Sequence, residues 1–214
     1  IETLARVDVL CLDKTGTITS GRMEVEGTYP LPVEGVGFGV DSNEAAVPLE
    51  TTVLDFALAN VARATSADAN ETCQALLNYY ADRPVEASEP LAVIPFSSSK
   101  KWSGASFAQG SYVMGAAQFV LSDRAFAQVE NRVAELADTC RVLVVARVDG
   151  FTPDGDMVGG AEPVGFVTIR DEIRSSAAET IGYFNEQGVT LNVISGDDPR
   201  TVSSIARVVG IPGA

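Results

Sequence analysis

The strongest constraint on this chain is an apolar run near its start that has nothing close by in sequence to pair with. Val7-Asp8-Val9-Leu10-Cys11-Leu12 stops abruptly at the polar cluster Asp13-Lys14-Thr15-Gly16-Thr17, the pattern of a buried strand feeding a loop. The next stretch of chain cannot supply its neighbours. From Thr28 to Val47 the chain is broken by Pro30, Pro32, Gly35, Gly37 and Gly39, which reads as the start of an excursion. Matching elements return only at the far end. Val164 to Ile169 is an apolar strand, Ser176-Ala177-Ala178-Glu179 reads as a capping box, and Gly188 closes the helix it opens. Leu191 to Ile194 is a second strand, ending at Ser195-Gly196-Asp197-Asp198. Asp198 reads as the N-cap of a last helix, with Pro199 as its first residue and Gly210 as its C-terminal glycine. Strand, helix, strand, helix is the grammar of a parallel sheet. The expected fold class is therefore α/β: one discontinuous parallel-sheet domain from residues 1–24 and 164–214, interrupted by residues 25–163.

The interrupting segment reads as α+β. Leu49 to Arg63 and Glu71 to Ala81 have helical spacing, and Ala125 to Asp138 is a third helix. Leu91 to Phe96 and Trp102 to Phe107 read as strands flanking Ser97-Ser98-Ser99-Lys100-Lys101, and Arg141 to Val148 as another strand before the glycine-rich turn Asp154 to Gly160.

Composition removes whole classes of chemistry. The chain has no histidine, so Ser-His and Cys-His nucleophile pairs and most transition-metal sites are excluded. Its three cysteines, Cys11, Cys73 and Cys140, are far apart and form no CxxC; a reducing compartment fits, and Cys11 reads as a small core residue. A formal charge of −14 repels nucleic acid, which is not an expected partner. Apolar runs such as Val142 to Ala146 fall far short of the roughly 18 residues of a membrane span. The opening Ile1-Glu2-Thr3-Leu4-Ala5-Arg6 has no signal-peptide features and reads as a cut inside a longer protein. Carboxylates, lysines and hydroxyls remain for chemistry. In open α/β sheets the ligand crevice lies beyond the carboxyl ends of the strands, where both acidic loops fall. A carboxylate attacks a phosphoryl group when cations and donors neutralise the phosphate oxygens, so Asp, Lys and Thr together suit acyl-phosphate formation.

Asp13-Lys14-Thr15-Gly16-Thr17-Ile18-Thr19 resembles the phosphorylation signature of P-type ATPases, pumps of the haloacid-dehalogenase-like superfamily. The resemblance implies a Rossmann-type, HAD-like domain, incomplete at its C-terminus, with an inserted nucleotide-binding domain. Asp13 would be the phosphate acceptor, with Lys14, Thr15 and Thr17 around it and Asp13 and Thr15 as Mg²⁺ ligands. Ser195-Gly196-Asp197 is similar to the family's Thr-Gly-Asp loop. Asp171-Glu172-Ile173-Arg174 resembles its Asp-Pro-Pro-Arg segment without the prolines, placing Arg174 with the cofactor-binding residues. In the insert, Pro95 to Lys101 resembles the stretch whose Phe stacks on adenine, matched by Phe96, and whose later Lys, matched by Lys101, reaches the nucleotide. Glu71 matches the acidic residue of the same pocket, and Gly115-Ala116 resembles a Lys-Gly-Ala motif with Met114 in the lysine's place, which implies a weaker or reshaped ATP site. Taken singly, Phe96 reads as core, Lys100 and Lys101 as exposed lysines and Arg174 as a surface charge.

By the same resemblance ATP and Mg²⁺ are the cofactors, and a transported cation, met through a membrane domain, and an actuator domain are the partners, at the cytoplasmic face of the cell membrane. The family completes its site with a Gly-Asp-Gly-Val-Asn-Asp segment and a lysine expected beyond Gly210, so this stretch alone is expected to bind nucleotide weakly without turnover. Absence of histidine disfavours the heavy-metal branch and leaves a calcium- or magnesium-type bacterial pump as the expectation. The alternatives are a HAD-superfamily phosphatase, a two-component receiver and a nucleotide-binding module. Thr15 argues against the phosphatase, which carries a second Asp at that position as its general acid and base.

Overall fold

The computed structural model describes residues 7–31, 52–137, 140–196 and 199–213. Most of the Pro/Gly stretch, 32–51, and the pair Asp197-Asp198, expected as a site residue and a helix cap, lie outside the described residues. The chain opens with β1 (Val9–Asp13), a tight loop and the long β2 (Thr19–Pro30). Next come α1 (Val53–Ala64), α2 (Glu71–Tyr79), β3 (Ala92–Ile94), β4 (Trp102–Phe107) and β5 (Gly110–Gly115). After these, α3 (Ala117–Val120) and α4 (Asp123–Leu136) lead into β6 (Arg141–Val148) and a small hairpin of β7 (Gly150–Phe151) and β8 (Met157–Val158). The remainder is β9 (Glu162–Ile173), α5 (Ala177–Glu186), β10 (Thr190–Ile194) and α6 (Pro199–Val208). Two compact units result: Ile1–Met23, Asp138–Cys140 and Arg170–Ala214 form the α/β unit, and Glu24–Ala137 with Arg141–Ile169 form the inserted unit.

In the α/β unit β1 and β10 pair in parallel, from Val9↔Thr190 to Asp13↔Ile194. Leu10 and Leu12 of β1 and Leu191 and Val193 of β10 pack with Ile181 of α5, Ile205 and Ala206 of α6, and Val209 just after it. Both helices end as their glycines predict. Gly188 (φ 73°) and Gly210 (φ 85°) turn the chain so that Val189 N–H reaches Phe184 O at 3.1 Å and Ile211 N–H reaches Ala206 O at 2.9 Å. With the glycine N–H groups on Asn185 O and Arg207 O, each end has the two bonds of a Schellman motif. The start of α5 differs from expectation. Ser176 already has helical dihedrals (φ −86°, ψ −5°) and its side chain makes no cap bond, because the turn from Arg174 O to Ala177 N–H brings the chain into the helix first. Cys11 also differs: it is exposed, since β1 alternates and only the Leu10/Leu12 face meets a helix layer among the described residues.

The inserted unit is built on a sheet of order β2-β9-β6-β5-β4-β3. The apolar strand at Val164 to Ile169, expected in the parallel sheet, belongs here: it is the centre of β9 and pairs antiparallel with β6, Arg141↔Ile169 through Arg147↔Glu162. An apolar run reports burial on both faces but not strand direction. One face of this sheet packs Trp102, Val113, Val144 and Phe166 against α3 and α4. The other takes α1, whose Phe56 meets Phe107 and Tyr112 edge-on at 5.7 and 6.0 Å. α1 starts with a reciprocal cap: Thr52 Oγ1 accepts from Asp55 N–H at 3.1 Å, and an Asp55 oxygen accepts from Thr52 N–H at 3.4 Å. The other Asp55 oxygen accepts from the Tyr80 hydroxyl at 2.8 Å, tying the end of α2 to the start of α1. Burial first, then that bond, pushes the Tyr80 phenol far up from its ordinary value. Thr52→Ala should therefore lower the stability of this unit by about 1 kcal/mol. Trp102, the single tryptophan and buried in the sheet, gives a fluorescence signal confined to it, and a smaller urea midpoint is the expected reading.

Candidate functional site

Parallel register brings the two expected loops to one end of the α/β unit. Asp13 stands opposite Ile194, so the Asp13 loop and Ser195-Gly196 leave the sheet side by side at the strands' carboxyl end. Between Asp13 and β2, Thr15 (φ −78°, ψ 123°) and Gly16 (φ 80°, ψ −12°) have the dihedrals of a type II turn, which requires a positive φ at its second central residue and hence glycine. Nothing lies within 4 Å of a Cβ built on Gly16, so backbone conformation and not space demands it. Thr19 N–H bonds Lys14 O and Thr19 Oγ1 reaches the same oxygen at 3.3 Å, closing the loop on itself.

The loop separates its side chains by role. Lys14, Ile18 and Thr19 are buried, while Asp13, Thr15 and Thr17 are exposed. Lys14, expected beside the phosphate, points inward: its side chain is 3% exposed and its ammonium pairs with Asp171 of β9. Arg174, expected with the nucleotide, also holds the loop, its guanidinium donating to Gly16 O at 2.7 Å and its N–H to Ile18 O at 3.0 Å. Glu172, between them, accepts from Ser20 Oγ at 2.5 Å and Arg22 Nε at 3.0 Å. The Ser20 bond first, with Arg22 and Arg174 nearby, holds its carboxyl below the usual carboxylate value. Residues 171–174 thus grip the loop from one side, and the Asp13 carboxylate has no partner among the described residues.

The inserted unit carries a cavity of about 450 Å³. All four residues expected to bind the nucleotide there line it: Glu71, Phe96, Lys101 and Gly115. Glu71 opens α2, whose N-cap Asn70 accepts from Cys73 N–H at 2.9 Å. Phe96 keeps 44% of its surface exposed, which is unlike a core aromatic and suits a ring that a ligand can cover. Lys101 has φ 59°, a left-handed conformation costing a non-glycine residue about 1–3 kcal/mol. It is held there by Lys101 N–H to Ser97 O at 2.7 Å and Ala116 N–H to Lys101 O at 3.2 Å. Gly115 lines the wall as bare backbone, because a Cβ would come within 2.4 Å of Trp102 Cβ and 2.5 Å of Lys101 O. Lys100 turns elsewhere, to Gly155 O at 2.7 Å and Asp156 at 2.9 Å. Sequence reasoning missed Arg141 at the cavity rim, which contacts Thr72 Oγ1 at 3.4 Å. An arginine heading the apolar run Val142 to Ala146 was the available signal.

Comparison with known proteins places this chain in a family. Residues 7–214 match the haloacid dehalogenase-like hydrolases, and the chain belongs to that family. It is 37% identical, over 98% of its length, to a probable cation-transporting ATPase, exp7, of Streptococcus pneumoniae, and 34% identical over its whole length to the calcium-transporting ATPase CtpE of Mycolicibacterium smegmatis. It spans about a quarter of the length of these relatives. The fold is similar to a zinc-transporting PIB-type ATPase in the E2P state, with TM-score 0.68 and 22% identity, over 98% of this chain and 29% of that one. No helix among the described residues is long and apolar enough to cross a membrane.

Asp171→Ala removes the carboxylate that pairs with the buried Lys14 ammonium and should cost about 3 kcal/mol, whereas Lys14→Met combined with Asp171→Ala should recover much of the loss. Thermal unfolding followed by far-ultraviolet circular dichroism tests it; equal losses in the single and double variants would show that the pair does not hold the loop.

Proposed function

We propose that this chain is the nucleotide-binding and aspartyl-phosphate-forming part of a P-type cation-transporting ATPase, with Asp13 as the phosphate acceptor. The observation that carries this reading is the Asp13 carboxylate itself: exposed at the carboxyl end of a parallel strand, on a loop whose buried side chains are all committed to holding it still. An Asp13 oxygen attacks the terminal phosphorus of ATP, a new O–P bond forms as the bond to the ADP oxygen breaks, and ADP leaves with the electron pair. Thr15 stands exposed two residues on, where a hydrolytic carboxylate would be needed, so the acyl phosphate persists long enough for a conformational change to occur. Relatives named as cation- and calcium-transporting pumps support a calcium-type cargo, with the actuator and membrane domains in the rest of such a pump and this part at the cytoplasmic face.

The donor set fits Mg²⁺, a hard cation that takes oxygen ligands. Asp13 and Thr15 would hold it, and when bound it neutralises charge on the transferring phosphoryl group. Lys14 and Arg174 contribute by fixing the backbone that presents Asp13, and Ser195 and Gly196 by the hydroxyl and open backbone they bring to the same strand ends. The cavity of the inserted unit holds the nucleotide, with Phe96 against the base and Lys101 and Arg141 as cations for its anionic part.

Two measurements test the reading. In the pump that contains this sequence, ATP and Mg²⁺ should yield an acid-stable, hydroxylamine-sensitive phosphoenzyme, and Asp13→Asn should abolish it; labelling that survives the substitution would sink the assignment. In the 214-residue chain, Phe96→Ala should weaken ATP binding about three- to tenfold, since aromatic stacking is worth roughly 0.5–1.5 kcal/mol beyond area burial. Unchanged affinity would return Phe96 to a packing role.

A further inference from the structure

The floor of the cavity in the inserted unit contains a hydroxyl with no hydrogen-bond partner among the described residues. Ser103 of β4 lies directly opposite Met114 of β5, and Met114 opposite Val145 of β6. Side chains two apart on a strand share a face, so Ser103, Met114 and Leu143 come from three adjacent strands onto the face that lines the cavity. Met114 and Leu143 make this floor apolar. Ser103 is 5% exposed, and its hydroxyl has no hydrogen-bond partner among the described residues. Neighbouring hydroxyls do find partners: Ser106 and Ser111 bond each other at 2.8 Å, and Ser97 and Ser99 at 2.7 Å.

Every fully enclosed side-chain polar atom among the described residues is paired. The unpaired Ser103 hydroxyl therefore keeps a sliver of accessible surface, and Ser103 is one of the residues that line the cavity. A hydroxyl withdrawn from bulk water without a protein partner is unfavourable for folding. A position that needed only a small side chain would be better served by alanine. We infer that Ser103 reads the base of the bound nucleotide, its hydroxyl hydrogen-bonding the polar edge of a heterocyclic ring lodged between Phe96 and the Met114–Leu143 floor. This rests on the reading of the cavity as a nucleotide site and adds the residue that makes it selective for the base. The chemistry is economical: apolar contacts accept any flat ring, while one hydroxyl on an otherwise apolar floor rewards a ring with a nitrogen or amino group at that edge.

The test uses the 214-residue chain with two probes, ATP and ribose 5′-triphosphate, which lacks the base. Ser103→Ala should lower ATP affinity about five- to tenfold, the worth of one hydrogen bond to a ligand, and leave ribose 5′-triphosphate affinity unchanged. The thermal midpoint of the ligand-free variant should equal or exceed that of the unsubstituted chain, which a structural role for the hydroxyl would not allow. Unchanged ATP affinity in Ser103→Ala overturns the proposal, and so does an equal loss for both probes. Failure of the unsubstituted chain to bind either probe overturns the nucleotide reading beneath it, an outcome visible before any substitution is made.

Discussion

Five cross-strand partners, Val9↔Thr190 through Asp13↔Ile194, join residues more than 170 positions apart, and the chemistry of the α/β unit depends on that register. Parallel pairing makes β1 and β10 end together, so the loops after them share one edge. A slip by one residue would turn Leu10 and Leu12 away from α5 and α6 and move Asp13 to the opposite face. Burial of Leu10, Leu12, Leu191 and Val193 against those helices therefore sets the position of the carboxylate. The hydrophobic effect acts on one face of a strand, and the carboxylate at its end is located as a consequence.

Around the Asp13 loop, charged side chains hold the backbone and others are left exposed. Lys14 is buried against Asp171, Arg174 clamps two loop carbonyls, and Glu172 ties Ser20 and Arg22. Asp13, Thr15 and Thr17 face outward. A buried ion pair is a poor source of stability compared with packed hydrocarbon, but it resists alternative geometries because either partner left alone is costly. The cavity of the inserted unit follows a similar division. Gly115 and the left-handed Lys101 are shaped by close backbone approach, and Phe96, Arg141 and Ser103 bring an aromatic face, a cation and a hydroxyl to the lining.

Much of this was legible in the sequence wherever a local signal carried it. The β1 strand and its Asp13 turn, the glycine ends of α5 and α6, and the strands at Trp102 to Phe107 and Arg141 to Val148 follow from periodicity and from residues with special backbone freedom. Signals that depend on partners failed. The apolar run Val164 to Ile169 looked parallel and is antiparallel, because hydrophobicity along a strand records what covers it and not which way its neighbour runs. Ser176 matched a capping pattern, yet the preceding turn had already made its backbone helical. Cys11 sat in an apolar strand and proved exposed, since a single run of sequence does not say how many layers cover it.

The sequence by itself determined the loops, the carboxylate at the strand end and the identity of the side chains available for chemistry, because turn chemistry and the choice of functional group are written residue by residue. Only the tertiary structure decided which of those side chains are held in contacts and which are left open. Lys14 and Arg174 are both cations, and folding turns them to Asp171 and to loop carbonyls. Ser103 and Arg141 carry no motif, and strand register brings them to the cavity. The physical reason is the same in each case: direction and burial are properties of a packed neighbourhood, assembled from residues far apart in the chain, and no single stretch contains them.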